Sequence, residues 1–290
     1  MFSSAATAVQ DDGIIDIHLP LNTGAATNAR DKLAAAGMKV SEADEFVPML
    51  LAIDSGDSRP ITLTAENGKT LCLAVTWKDD ALKTMRFSKS SISESELSIL
   101  AFMAAHERAH CKELLADETA ASKAMIGDSM FWRSESKADA LARQAVHALG
   151  KSGSVAAEAW RTRRLFDFMA GDIQHWTTPI VDLIESTGDI TESGVEKAFD
   201  ALGGEKGFAD LTSCWRSLLS ALFAGDDRSQ EQALAWTQAV AKLPTAARSS
   251  LPELDDIRKA AIHAWPSSND WRLEATGRSL PFKLKRSFSH

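Results

Sequence analysis

"AAHERAHCKE", residues 104–113, decides how this 290-residue chain is read. Two histidines stand four positions apart, with a glutamate directly after the first: His106-Glu107-Arg108-Ala109-His110. On a helix, residues four apart share a face, so both imidazoles can reach one metal ion. Ile99, Phe102 and Met103 fall on that same face, whereas Arg108 and Lys112 fall on the opposite, solvent side. The histidine pair therefore continues an apolar stripe. Buried imidazoles need a partner, and a metal ion is a good one. The bland alternative is a pair of core histidines satisfied by hydrogen bonds. Among seven histidines, an H-E-x-x-H spacing arises by accident in about one such chain in a hundred.

The flanking sequence supports a helix there. Ser93 and Glu96 form an S-x-x-E capping box, and the helix is expected to run to about Leu115. Upstream, residues 13–19 read as a short strand, and residues 28–38 as a helix closed near Gly37. Residues 42–53 read as an apolar helix or strand interrupted by Pro48. Residues 61–77 give two β-rich runs around Asn67-Gly68, a dipeptide that favours the positive φ angles of a tight hairpin. Residues 84–90 could add a further strand. A second long helix is expected over residues 129–149, between Asp128 and Gly150.

Beyond Lys151 strand signals nearly vanish, and roughly six helices are expected in residues 154–265. Trp160, Trp215, Trp236 and Trp265 on these segments read as core residues. The fold class expected is α+β and predominantly α. Residues 1–150 would hold the N-terminal segment and catalytic core, and residues 151–290 a helical C-terminal domain.

A zinc site needs a third protein ligand and one position left open. Glu113 shares the helix face but lies a further turn along, where it converges poorly with the histidines. The better candidate is in "SESKADALARQA", residues 134–145. Glu135 and Asp139 are again four apart on a helix. Phe131, Ala138, Ala142, Ala145 and Leu149 sit near the face of Glu135. A carboxylate in such a stripe is costly unless paired or metal-bound. A surface role is the alternative for both carboxylates.

The order of these motifs resembles the gluzincin branch of zinc metallopeptidases, in which HExxH is followed by E-x-x-x-D on a second helix. The metzincin continuation is absent, because Glu113 and Ala116 occupy its glycine and last histidine positions. The resemblance covers about residues 60–150 and implies a zincin-like core, with a small sheet beside the active-site helix. It implies Zn2+ held by His106, His110 and Glu135, with Glu107 as general base and Asp139 orienting His106. A second electrophile is also needed, and the chain has no tyrosine. His175 in "GDIQHWTTP", residues 171–179, is the candidate, with Arg143 possible and His147 less attractive. The expected activity is a metalloendopeptidase of narrow specificity, acting on a protein or peptide. A catalytically silent metal-binding scaffold and hydrolysis of a non-peptide bond remain alternatives.

The bulk properties narrow the setting. A net charge of −8 and a pI near 5.4 argue against a nucleic-acid partner. No apolar run reaches the length of a membrane span. The first residues lack the pattern of a cleaved signal peptide. Cytoplasmic residence, or delivery without such a peptide, is the expectation. The three cysteines, Cys72, Cys111 and Cys214, are odd in number and far apart, and read as free thiols.

Overall fold

The computed structural model describes residues 13–19, 23–52, 58–78, 81, 84, 92–116, 129–169, 173–212, 241 and 248. The sheet has three strands: β1 (Ile14–Leu19), β2 (Arg59–Thr64) and β3 (Thr70–Trp77), in the order β1-β3-β2. β1 runs parallel to β3, and β2 antiparallel to it. With the helices around it, the sheet makes the described part α+β and mostly helical.

β3 is buried on both faces from Leu71 to Val75, and that run is apolar. Leu71, Leu73 and Val75 point to one side. There, with Ile15, Ile17 and Leu19 of β1, they pack against α1 (Thr23–Ala35) and α2 (Val40–Ala52) through Leu33, Ala43 and Val47. Cys72 and Ala74 point to the other side, with Ile14 of β1. Their small side chains let α3 (Ile92–Ala116) lie close on the sheet, contributing Cys111, Leu114 and Leu115. The opposite side of α3 packs against α4 (Ser129–His147) and α5 (Lys151–Met169). Ile99, Phe102 and Met103 form a core there with Ala142, Val146, Ala156 and Trp160. The motif helix is thus sandwiched between sheet and helices, and Ala156, Ala159 and Trp160 of α5 share its core.

A 3-10 turn (Ile173–His175) leads to α6 (Thr178–Thr187), which begins with Pro179 in its first turn and closes on Gly188 at φ +70°. α7 (Glu192–Ala201) follows, capped by the Thr191 hydroxyl accepting from Gly194 N, and residues 204–212 are again helical. Among the described residues, no helix is long and apolar enough to cross a membrane.

Several expectations need correction. The hairpin exists, but Gly68 alone takes a positive φ there, +81°, and no non-glycine residue does so among those described. Gly68 N donates to Ala65 O, and Ala65 N donates to Lys69 O. This is a three-residue loop with glycine at the bulge position. Asn67 uses its side chain instead, accepting from Lys69 N and donating to Gly37 O. α2 continues through Pro48, whose missing N–H costs one helical bond while Ala43 and Val47 stay packed on the sheet. Arg108 is half-buried rather than solvated, and ion-pairs with Asp16 of β1 at 2.9 Å. On α4 the buried stripe includes Trp132, Ser136 and Val146. Leu149 is exposed, as is Ala145, because the stripe is rotated toward Trp132.

The largest correction concerns the thiols. Cys72 and Cys111 form a disulfide between β3 and α3, with Cα atoms 5.5 Å apart. Spacing hid it, because the pairing comes from the helix crossing the sheet and not from local sequence. Cys214, residues 85–90, the Ser93–Glu96 cap side chains, Asp128, and the tryptophans at 215, 236 and 265 lie outside what is described.

Candidate metal centre

His106 and His110 project from the same side of α3, one turn apart, and Glu135 meets them from α4. Their Nε2 atoms are 3.1 Å apart. Glu135 Oε1 lies 3.1 Å from His110 Nε2, and Glu135 Oε2 lies 3.5 Å from His106 Nε2. Four ligands about 2.05 Å from a tetrahedral zinc would be separated by about 3.3 Å. The three residues fit such an ion, and this group could hold a metal. The side chains are 5%, 12% and 7% exposed respectively, so water does little to separate them.

Each of the three has a partner behind it. His106 Nδ1 lies 2.7 Å from Asp139 Oδ1. His110 Nδ1 faces Ser134 Oγ at 3.3 Å, and the Ser134 hydroxyl donates to Glu113 Oε2. Glu113 is 3.7 Å from the same ring nitrogen and 3.4 Å from Lys137 Nζ. It stands behind His110, not beside Glu135. Glu135 Oε2 accepts from Arg164 Nη2 of α5 at 2.8 Å.

Asp139 is the most densely bonded carboxylate of the group. It accepts from Trp160 Nε1, from Arg164 Nε and Nη2, and from the Thr177 hydroxyl. Burial works against its charge, but Arg164 and then His106 outweigh burial and hold the carboxyl below its ordinary range. Glu135 behaves alike: burial opposes ionisation, yet His175, His110 and His106 hold it well below the usual carboxylate value. The two histidines differ. Burial dominates at His106 and lowers it, which favours the neutral imidazole. At His110 burial also opposes charge, but Glu135 and Glu113 prevail and raise it well above its ordinary value.

Glu107 is 4% exposed and follows His106 directly on α3. His175, in the 3-10 turn, brings Nε2 to 3.7 Å from Glu135 Oε2 and stands edge-on to Phe131, with ring centroids 5.3 Å apart. Trp132 Nε1 donates to Trp176 O, tying the segment after His175 to α4. Arg143 is engaged elsewhere, 2.7 Å from Glu185 of α6, and His147 is exposed at the end of α4.

The residues read from the sequence therefore converge: His106, His110, Glu135, Asp139 and His175 meet in one place. Sequence reasoning missed Arg164, Ser134 and Thr177, and it read Trp160 as a core residue without its bond to Asp139. Trp160 and Arg164 lie four apart on α5, a pattern that marks one face but does not say what that face meets. No protein-family model, no curated protein and no solved structure matches the chain.

Proposed function

We propose that the chain is a zinc-dependent metallopeptidase of gluzincin type, with a zincin-like core formed by the β1-β3-β2 sheet and α3. The observation that carries this reading is the convergence of two imidazole nitrogens and one carboxylate within 3.1–3.5 Å, with Glu107 next in sequence to the first. His106, His110 and Glu135 would hold the ion. Zinc bound there supplies a Lewis acid and a water whose pKa falls toward about 7.

The chain's own groups do the rest. Glu107 accepts the proton of the attacking water on a carboxylate oxygen and passes it to the leaving amine. Its position is about 100° around the helix from His106, so it serves as base and not as ligand. His175 lies close enough to the group to donate to developing negative charge on the carbonyl oxygen, the role that tyrosine cannot fill in a chain without one. β2 forms a sheet edge beside α3, and an extended peptide substrate would pair along such an edge. The Cys72–Cys111 disulfide favours delivery to an oxidising compartment over residence in a reducing cytoplasm.

The test compares wild type with Glu107→Gln. Both are expected to bind one zinc per chain by elemental analysis. Only wild type is expected to cleave members of a proteome-derived peptide library read by mass spectrometry. Zinc binding with no cleavage by wild type would favour the silent scaffold. Full cleavage by Glu107→Gln would remove Glu107 from the chemistry.

A further inference from the structure

A buried arginine behind His106, His110 and Glu135 has no part in the water-activation scheme. Arg164, on α5, is 4% exposed at its side chain. Its Nη2 donates to Glu135 Oε2 at 2.8 Å and to Asp139 Oδ1 at 3.0 Å, and its Nε donates to Asp139 Oδ2 at 2.8 Å. Nη1 reaches Asp167 Oδ2 at 3.5 Å, and the guanidinium carbon lies 4.8 Å from the centroid of the Trp160 ring. One planar fork thus grips two carboxylates that stand one turn apart on α4.

The two oxygens of Glu135 are not equivalent as a result. Oε2 accepts from Arg164 at 2.8 Å and stands farther from the imidazoles, 3.5 Å from His106 Nε2 and 3.7 Å from His175 Nε2, whereas Oε1 faces His110 Nε2 at 3.1 Å. A carboxylate free on both oxygens can close on a cation with both. A carboxylate whose second oxygen is held by a guanidinium presents one. The same fork fixes the plane of Asp139, the carboxylate beside His106 Nδ1.

We propose that Arg164 is a positioning residue that restricts Glu135 to one-oxygen ligation of the metal, keeping a coordination position open, while orienting Asp139 beneath His106. The proposal rests on the zinc reading above. Charge compensation alone would be a merely structural role, and a lysine could supply it. Only the arginine fork can hold both carboxylates in fixed planes.

The experiment uses cobalt(II) as the probe, titrated into full-length wild type, Arg164→Lys and Arg164→Gln, with visible absorption as the readout. Wild type is expected to show the intense bands of four-coordinate cobalt. Arg164→Lys is expected to take up cobalt with weaker bands, as Glu135 supplies its second oxygen, and to bind zinc about 10- to 100-fold more weakly in chelator competition. A lysine variant with the wild-type spectrum and affinity would overturn the proposal and leave the zinc reading standing. Wild type that takes up no cobalt or zinc would sink both. Should the variants fail to fold, a crystal structure of zinc-loaded wild type decides. Oε1 alone within about 2.2 Å of the metal, with Oε2 still on Arg164, supports the proposal; both oxygens on the metal overturn it.

Discussion

Cys111, the residue directly after His110, is bonded to Cys72 on the central strand of the sheet. The bond pins the turn of α3 that carries the second histidine to the most buried element of the fold, where both cysteines are fully buried. The crosslink closes a loop with a sequence separation of 39 residues, for which chain entropy predicts a stabilisation of about 4 kcal/mol. The double variant Cys72→Ala, Cys111→Ala is expected to lose about 2–4 kcal/mol in urea unfolding. Wild type treated with a thiol reductant in denaturant should shift in the same direction. Unfolding midpoints that ignore both changes would show the bond to be dispensable.

Asp139 receives four donors besides its contact with His106. Asparagine at this position would turn an N–H2 toward groups that are themselves donors, and would leave Arg164 buried with less opposing charge. Asp139→Asn is expected to cost about 3–5 kcal/mol of stability, the loss typical of breaking a buried pair. On the folded variant, zinc affinity should drop about 10- to 100-fold, because His106 loses the carboxylate that orients it. Wild-type affinity in this variant, measured by chelator competition, would remove Asp139 from the support of the site.

The core of this site was legible because helical spacing is a local property. His106 and His110, and Glu135 and Asp139, are each four apart, and the face each pair occupies follows from 3.6 residues per turn. The Asn67-Gly68 hairpin and the limits of α4 near Ser129 and Gly150 were legible for the same reason. What stayed hidden depends on packing between distant segments. Arg164 lies 29 residues from the carboxylate it grips, and "RTRR" at 161–164 reads by itself as a solvated run. Cys72 meets Cys111 only because α3 crosses β3. The rotation of the α4 stripe toward Trp132 follows from which neighbours α4 receives, and periodicity alone places such a stripe only to within a residue or so.

Trp132 links the second helix of the site to the segment bearing His175. Its ring is fully buried against Phe208, with centroids 5.3 Å apart, and its Nε1 donates to Trp176 O at 2.8 Å. Trp132→Phe keeps an aromatic ring but removes that donor, at a cost of about 1–3 kcal/mol. His175 is not among the three residues that could hold a metal ion. The variant should therefore bind zinc with unchanged affinity while losing peptide turnover, as the turn carrying His175 loosens. A parallel fall in affinity and turnover would place Trp132 in the support of the ligands instead.

Metal uptake should depend on pH through His110. In the metal-free protein, burial disfavours its charge, but Glu135 and Glu113 raise its pKa well above the ordinary 6.5. A raised folded-state pKa means that the protonated ring stabilises the metal-free fold fully below 6.5, and that this contribution fades as pH rises through the raised value. A metal needs the neutral ring and must expel that proton. The two effects act together: with rising pH the metal-free form loses this stabilisation while zinc meets less competition. The zinc-induced increase in melting temperature is therefore expected to grow from about pH 6 to about pH 8. Titration calorimetry in buffers of different ionisation enthalpy should show proton release on zinc binding that declines toward the alkaline end. A zinc-induced shift that stays constant across that range would mean that His110 is already neutral in the metal-free protein.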